Sequence, residues 1–572
     1  MRDIPSINVV SDLAQSLNEL PDPLARALVL RGIDSFEAAR SFFRPTIERL
    51  HDPFEMRDMD AAADRLARAI RKRESVLVYG DYDVDGVTST TLMTRFLRDQ
   101  GVGATYFIPD RSKHGYGLSD AGFDAISGCG ASLMITLDCG ITSVGPAARA
   151  RALGLDLIIC DHHTAPDTLP DAVAVLDPKR ADCAYPFKEL SGCGVGFKLV
   201  QATLARLGLP DEEAYPLLDL VAVSIAADIV PMDGENRILM SEGLKLIRNK
   251  PRIGLSALAE SAHITLADCT TGSIVFGIAP RINAAGRLDD ASLAVQLLLE
   301  TDFARARQLA RGLEELNTRR KALDKETAEQ AESQARHYLE SRDRTGIVLH
   351  DPSWHAGVIG ITASRIVETF CRPTILLTTV DGVAKGSARS VDGVNIYDAL
   401  CACDDLLIQY GGHIHAAGLK LHEADVDAFR IRFEEAVAAQ MTADLMVHAL
   451  HIDSEVSFDQ IDGRFRAVLR QFEPFGPANR APVFVNNNLQ VVGRPSIIGQ
   501  DKTHLRFFVR QGNAGVAFGA IGFGMAPHAE TLRESQRTGT PLRMAFHVED
   551  NTYRGQRTLQ LKPRDIRLKD EG

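Results

Sequence analysis

From residue 59 to residue 178 the chain alternates two patterns of apolar placement. Short unbroken apolar runs, SVLVYGD, GATYFIPD, LMITLDCG, LDLIICDHH and AVAVLDP, read as strands. Around them, MDAAADRLARAIRKR, TSTTLMTRFLRDQG and TSVGPAARARALG repeat apolar residues every three or four positions and read as helices. Strand–helix–strand repetition predicts a parallel sheet covered on both faces, with its chemistry at the carboxyl ends of the strands. Residues 1 to 50 read as short helices interrupted at Gly32 and Asp34. Residues 302 to 342 hold no proline and no glycine after Gly312, and Leu309, Leu313, Leu316 and Leu323 form a narrow apolar stripe. That stripe predicts one long helix acting as a rigid arm between two lobes. A second α/β segment follows, with strands GIVLHD and TILLTT, and with GSARS and YGGHIHAAGL as glycine-rich loops. Past EPFGPANRAPVF the pattern turns all-β, in LQVVGRPSII, HLRFFVRQ, AGVAFGAIGFG, LRMAFHVED and TLQLKPRDIRL. Five short alternating segments fit a small barrel of the OB-fold type.

The predicted division is a helical segment over 1–50, a parallel-sheet α/β domain over 51–300, the connecting helix over 301–342, a smaller α/β domain over 343–455 and the barrel over 456–572. The length of 572 residues agrees with that division, since domains average roughly 150 residues. With 45% hydrophobic and 24% charged residues the composition is that of a globular protein. A net charge of −12 argues weakly against a nucleic-acid partner, but a whole-chain sum can hide a local basic groove. The barrel strands carry Arg506, Phe507, Arg510, Tyr553, Arg554 and Arg557, a basic and aromatic mixture suited to backbone neutralisation and base stacking or to an ordinary amphipathic surface. The nine cysteines form no C-x-x-C pair and read as reduced thiols. No signal pattern and no apolar run of ~20 residues is present, so no membrane partner and a cytoplasmic location are expected.

The run YGDYDVDGVTST, residues 79–90, sets Asp81, Asp83 and Asp85 on alternate positions behind an apolar strand. Packed carboxylates repel one another and lose hydration, so a positive partner must offset the cost. MITLDCG places Asp138 after a second strand, and IICDHHT places Asp161, His162 and His163 after a third. AVSIAADIVPMDGENR places Asp228 after a stretch read as helical. Singly, each has an ordinary explanation as a helix cap, a turn residue or a satisfied core histidine. Jointly they can converge on one sheet edge as the oxygen-rich, His-supplemented ligand set of a two-metal site. Two ions ~3.5–4 Å apart activate a water, clamp a phosphate and stabilise the leaving oxygen of a phosphodiester. Carboxylates admit magnesium or manganese, and imidazole shifts the preference toward manganese.

DYDVDG, LDCG, CDHH and AADIVPMDGENR, in that order, resemble the DHH phosphoesterase superfamily. RINAAGRLDDA, SWHAGVIGITASRIVE, KGSARS, GGHIHAAGL and EPFGPANRAPVF are similar to the RecJ single-strand-specific 5′→3′ exonucleases, and the resemblance runs from about residue 28 onward. It implies that 51–300 is the DHH catalytic domain and 343–455 the DHH-associated domain. It further implies Asp83 and Asp85 as a metal-binding pair, Asp138 as a bridge between two ions, and His162 and Asp228 as completing the second ion's shell. Asp161 is expected to orient a ligand histidine and His163 to face the scissile phosphate. Asp81 either joins the first ion, since Tyr79 stands where several relatives carry a histidine, or is a turn carboxylate. Manganese, with magnesium possible, is what the resemblance implies as well.

Selection of a strand end falls to other groups. The resemblance implies Arg111, Ser387 and Arg389 as holders of a terminal 5′ phosphate, through guanidinium forks and an anion nest in KGSARS. His413, on a Gly-Gly turn, is expected to contact the phosphate near the metals, and Tyr116 is expected to stack on a base. His355 lines the cleft or packs beside Trp354; Arg281, Asn283 and Arg287 line a strand channel or form a solvated helix start. The expected activity is a metal-dependent, single-stranded-DNA-specific 5′→3′ exonuclease acting in DNA repair and recombination. The alternatives are another DHH phosphodiesterase, acting on short oligonucleotides or cyclic dinucleotides, and an inactive DHH replication scaffold. Single-stranded DNA is the expected partner, a helicase and a single-strand-binding protein are partners by analogy, and a cleft formed within one chain suits a monomer.

Overall fold

Strands β1 (Val76–Gly80), β2 (Ala104–Phe107), β3 (Leu133–Leu137), β4 (Asp156–Cys160) and β5 (Ala174–Leu176) run parallel in the order β2–β1–β3–β4–β5. Every residue of β1 and β3 is buried. Val76 and Val78 join one core with the helices Val84–Asp99, Gly192–Leu207 and Leu218–Ala227, while Leu77 and Tyr79 join another on the opposite face. Two covered faces explain why these strands lack polar alternation. The chain leaves β1 toward β2 on one side and returns through β3 on the other, which opens a crevice at their carboxyl ends. The computed structural model describes residues 6–111, 113–115, 117–126, 128–340, 344–512, 515–553 and 556–569, with the side chains of 551–557 outside that description.

The long helix spans Phe303–Glu340. It packs against the helices Ile253–Ser261 and Ala279–Leu288 of the first lobe and against Ile359–Phe370 of the second. Its buried residues, Ala306, Ala310, Leu313, Asn317, Arg320, Asp324, Thr327, Ala331 and Ala335, follow the three-and-four spacing of a core-facing stripe. The middle of that stripe is polar. Asp324 accepts bonds from Arg365 at 2.8 Å and Thr362 at 3.3 Å on the facing helix, so the contact is a polar lock.

The second sheet has the order β6 (Ile347–His350), β7 (Thr374–Val380), β8 (Val383–Arg389), β10 (Ala416–His422), β9 (Gln409–Gly412), with only β6 and β7 parallel. Two expectations are corrected here. KGSARS is strand β8, and YGGHIHAAGL is the β9–β10 hairpin with His413 in its turn. Gly386 is there for packing: a Cβ would meet Leu377 Cδ2 at 2.6 Å and Leu419 Cδ2 at 2.7 Å. Its neighbours' side chains cross over the strand where its own would stand.

In the third unit β12 (Phe484–Ile498) pairs with both β13 (His504–Gln511) and β15 (Leu542–Tyr553), and β14 (Phe518–Gly522) and β16 (Gln556–Leu568) complete a closed five-stranded barrel. The short β11 (Ser454–Glu455) adds to it beside β12. The N-terminal helices Ile7–Ser16, Asp22–Val29 and Phe36–Phe43 pack into this barrel's core, Leu24, Leu28 and Phe42 lying with Phe465, Phe472 and Phe484. Arg237, on a helix of the first lobe, is buried against both ends of the chain. Its guanidinium donates to the carbonyls of Phe42, Gln471, Phe472, Glu473 and Pro474 at 3.0–3.3 Å and lies 3.8 Å from the Phe42 ring centroid. Among the described residues no helix is long and apolar enough to cross a membrane.

Candidate metal centre and strand-end pocket

The three alternate carboxylates do not continue the strand. β1 stops at Gly80, where a Cβ would meet Thr90 Oγ1 at 1.9 Å, and the chain bends at once. Asp83 caps the helix Val84–Asp99, accepting the Gly86 N–H at 3.0 Å, and Asp85 lies in that helix's first turn. Gly86 permits this closure, because a Cβ would stand 2.3 Å from the Asp81 carbonyl oxygen. From outside, Asn283 Oδ1 accepts the Val84 N–H at 3.2 Å.

Asp138 follows β3 in a left-handed backbone conformation (φ 60°), Asp161 follows β4, and Asp228 ends the helix Leu218–Ala227. These elements bring the acids together. His162 Nε2 lies 3.1 Å from Asp138 Oδ1, 3.6 Å from Asp228 Oδ2 and 3.8 Å from Asp85 Oδ2. Asp81, Asp83 and Asp138 form an adjoining group with ligand atoms within 4.8 Å of one another, so Asp138 is shared by both. Burial and mutual repulsion push the carboxyls of Asp81, Asp83, Asp138 and Asp228 upward. Burial pulls His162 down to about 4, so its ring is neutral at pH 7 and offers a lone pair. Asp81 Oδ1 and His162 Nδ1 are buried without a hydrogen-bond partner among the described residues. A crowded set of oxygen and imidazole donors with unmet acceptors fits divalent cations.

Sequence reasoning missed the residues that hold Asp85. Its carboxylate accepts the N–H groups of Gly192 at 2.7 Å and Cys193 at 2.8 Å, and the hydroxyls of Ser224 at 2.8 Å and Ser89 at 3.2 Å. Three of these fall on Oδ1 and one on Oδ2, which leaves Oδ2 free to ligate. Gly192 must be glycine for a second reason: a Cβ there would meet Asp138 Cβ at 2.7 Å. The available signal was Ser191-Gly-Cys-Gly ahead of an apolar helix, a cap followed by residues that let another backbone approach.

Asp161 orients the neighbouring histidine rather than His162. Its Oδ1 sits 2.6 Å from His163 Nδ1 and its Oδ2 accepts the Ile141 N–H at 2.9 Å. Burial alone would lower His163, but the Asp161 bond overrides it and lifts the ring to about 9. Asp161 falls to about 2 in turn, its burial outweighed by His163. His413, from the second lobe, stacks on His163 with ring centroids 5.9 Å apart and planes 28° apart. Tyr79 turns away, its hydroxyl donating to the Gly117 carbonyl at 3.0 Å.

Beside the acids the two lobes build a cationic corner. Arg287 is depressed to about 10, first by burial and then by the charges of Arg111 and Arg389. Arg287 Nη1 donates to the Gly357 carbonyl of the second lobe at 3.0 Å. Arg389 Nη1 donates to Ser387 Oγ at 3.1 Å, and both lie against the start of the helix Ile359–Phe370, where a Cβ on Gly360 would meet Ser387 Oγ at 2.9 Å and Arg389 Nη2 at 3.0 Å. Arg111 stands 5.5 Å from the Tyr82 ring centroid. Converging guanidinium groups and a helix N-terminus make an anion site. His355 is exposed at the edge, its Nδ1 accepting the Gly357 N–H at 3.0 Å. Arg281 is elsewhere: it is buried and paired with Glu314 of the long helix, so it fastens helices together. Asn283 likewise is spent on the acid loop. Tyr116 lies outside the described residues. On the barrel Arg506 points outward but Phe507 is in the core; among the described residues the exposed aromatics there are Phe508 and Phe523. Arg554 and the side chains of Tyr553 and Arg557 are outside the description.

Comparison with known proteins identifies the units that build this cleft. Family models described as DHH family, N-terminal domain, DHHA1 domain and RecJ OB domain match residues 75–225, 343–439 and 452–565. The chain is 37% identical to the single-stranded-DNA-specific exonuclease RecJ of Bacillus subtilis over 99% of its own length and 70% of that protein. It is 35% identical to the Dickeya dadantii protein of the same description, covering 97% of this chain and 99% of that one. The crystal structure of Thermus thermophilus RecJ in complex with Mn2+ superposes with a TM-score of 0.81 at 30% identity, covering 99% of this chain and 80% of that one. The same protein has been solved with Mg2+. With three family models matched in order and 30–37% identity to RecJ proteins over nearly the whole of this chain, the chain belongs to the RecJ family of single-stranded-DNA-specific exonucleases.

Proposed function

We propose that the chain, a metal-dependent exodeoxyribonuclease by family, degrades single-stranded DNA from the 5′ end with two divalent cations, in DNA repair and recombination. The observation that carries this reading is the juxtaposition of the shared acid groups and the arginine corner across one cleft. Asp83, Asp85, Asp138, His162 and Asp228 would hold the ions, with Asp138 common to both and Asp81 joining Asp83; manganese suits the set best and magnesium is admissible. Bound there, such a pair supplies an activated water and neutralises charge on the phosphate. The chain's own residues do the rest. Arg111, Arg389 and Ser387, with the helix start at Ile359, bind the terminal 5′ phosphate and set which phosphodiester reaches the acids. Arg287 ties the lobes together at that point through Gly357. His163, fixed by Asp161 and stacked by His413, presents an imidazolium to the scissile phosphate. A helicase that exposes strands and a single-strand-binding protein suit such an enzyme, and a site assembled from one chain supports action as a monomer.

The test is degradation of single-stranded and duplex DNA labelled at either terminus, with manganese present. Release of a 5′ label first, as mononucleotide and from the single strand only, is expected. First release of a 3′ label, or equal attack on duplex ends, would refute the proposal.

A further inference from the structure

The arginine corner flanks the acids on the side of Asp81 and Asp83, where the charges of Arg111 and Arg287 act. A different cation stands on the other side. Lys179 lies close enough for its charge to bear on Asp228, His162 and His413. The end of β5 sets it there. Asp161 N–H donates to the Leu176 carbonyl at 2.9 Å, so β5 finishes level with the His pair. Asp177, fully buried, then accepts the Lys179 N–H at 2.7 Å and turns the chain across the carboxyl edge of the sheet. Lys179 Nζ rests 3.4 Å from Glu189 Oε2, with the two side chains 30% and 46% exposed. A half-exposed pair of this kind contributes little to the fold, and a phosphate can take the place of its carboxylate.

Beyond Lys179 the surface leads to the barrel unit. Asn236 Nδ2 donates to the carbonyls of Glu189 at 2.5 Å and Pro231 at 3.0 Å, and the Met232 N–H donates to the Pro477 carbonyl at 2.8 Å. Two cationic poles therefore bracket the acids. Both face the second lobe, the arginine corner through Gly360 and Lys179 beside His413; only Lys179 is also joined to the barrel unit, through Glu189, Asn236 and Met232. Lys179 thus stands across the acids from the arginine corner, on the side where a strand bound at that corner would continue.

We infer that Lys179 binds the phosphate on the 3′ side of the cleaved bond, and so makes the enzyme favour trinucleotides and longer strands over dinucleotides, which lack that phosphate. The inference rests on the proposed reading of the acids as the site of hydrolysis and of the arginine corner as the 5′-phosphate site. The experiment uses the full chain with manganese and a 5′-phosphorylated trinucleotide, either unmodified or with a neutral methylphosphonate between its second and third nucleotides. In the wild type the neutral linkage should lower kcat/KM about tenfold, as loss of one charge-assisted contact does. Lys179→Met should lower it by a similar factor on the unmodified strand and show little further loss on the neutral one; Lys179→Arg should recover most of the rate. A wild type indifferent to the neutral linkage, or losses that multiply in the Met variant, would overturn the role of Lys179 alone. No hydrolysis of the unmodified strand by the wild type would overturn the underlying reading as well.

Discussion

Gly192→Ala is a one-methyl change whose consequence follows from a few distances. The new Cβ would stand 2.7 Å from Asp138 Cβ, 2.9 Å from Asp138 Oδ1 and 3.0 Å from Asp138 Cα. Ordinary contact begins near 3.4 Å, so one partner must move by about 0.7 Å. Moving the helix start pulls the Gly192 and Cys193 N–H groups off Asp85. Moving Asp138 displaces the one carboxylate common to both acid groups. Either way one of the acids loses its register with the others. Overpacking of this size costs about 1–3 kcal/mol, partly offset by up to about 1 kcal/mol of helix propensity, so the protein still folds. Catalytic geometry is less forgiving, since a displacement approaching 1 Å costs about a hundredfold in rate. Gly194→Ala is the control: on the same helix its Cβ would meet Leu190 and Ser191 at 3.4–3.5 Å, an ordinary contact. Manganese titration calorimetry, single-strand hydrolysis and thermal melting should show Gly192→Ala folded, at least tenfold weaker for manganese and about a hundredfold slower, with Gly194→Ala near wild type. Wild-type manganese affinity and rate in Gly192→Ala would refute the geometric argument.

Arg389→Ala should reduce the preference for 5′-phosphorylated over 5′-hydroxyl strands about tenfold or more while leaving manganese affinity unchanged; an unaltered end preference would remove Arg389 from the phosphate site. The raised carboxyls of Asp81, Asp138 and Asp228 imply that metal-free folded protein retains protons that the unfolded chain has released. Their contribution to stability therefore falls as pH rises above the ordinary carboxylate range, and cations must displace those protons. Manganese affinity, and the rise in Tm that manganese produces, should both grow from pH 5.5 to pH 8; a pH-independent affinity would contradict this. Arg237→Met should take a donor from five carbonyls, of which Phe472 and Pro474 keep Asn479 Nδ2, and destabilise the junction by about 3 kcal/mol, seen as earlier melting and faster limited proteolysis near residues 43–50 and 471–480. Unchanged proteolysis would mean that the junction does not depend on it.

The sequence was legible where a residue's environment is set by its neighbours in the chain. The five parallel strands, the long helix and the barrel strands lie where their apolar spacing put them. The acids and histidines also fell at element ends, because the carboxyl edge of a parallel sheet is a local consequence of strand direction. What escaped was set by distant partners. The middle of the long helix is polar yet buried, since Asn317, Arg320 and Asp324 meet one another and Arg365 rather than lipid-like side chains, and an apolar stripe of leucines could not report that. β8 was hidden by Gly386 and Ser387, small residues that signal a loop by composition; Gly386 sits under leucines from β7 and β10, and Ser387 faces the helix Ile359–Phe370. Which ring Asp161 holds was not legible, because adjacency in sequence does not say which ring turns inward; it bonds His163.

The docking of the three N-terminal helices onto the barrel unit has a consequence for biogenesis. Leu24, Leu28 and Phe42 emerge from the ribosome early, but the surface that covers them is translated only after both lobes. Until then this stretch is a greasy, unfinished half, open to holdases or to mispairing with a neighbour's barrel. Excising the barrel from the gene should thus strand those helices, and a soluble truncation ought to drop both extremities together.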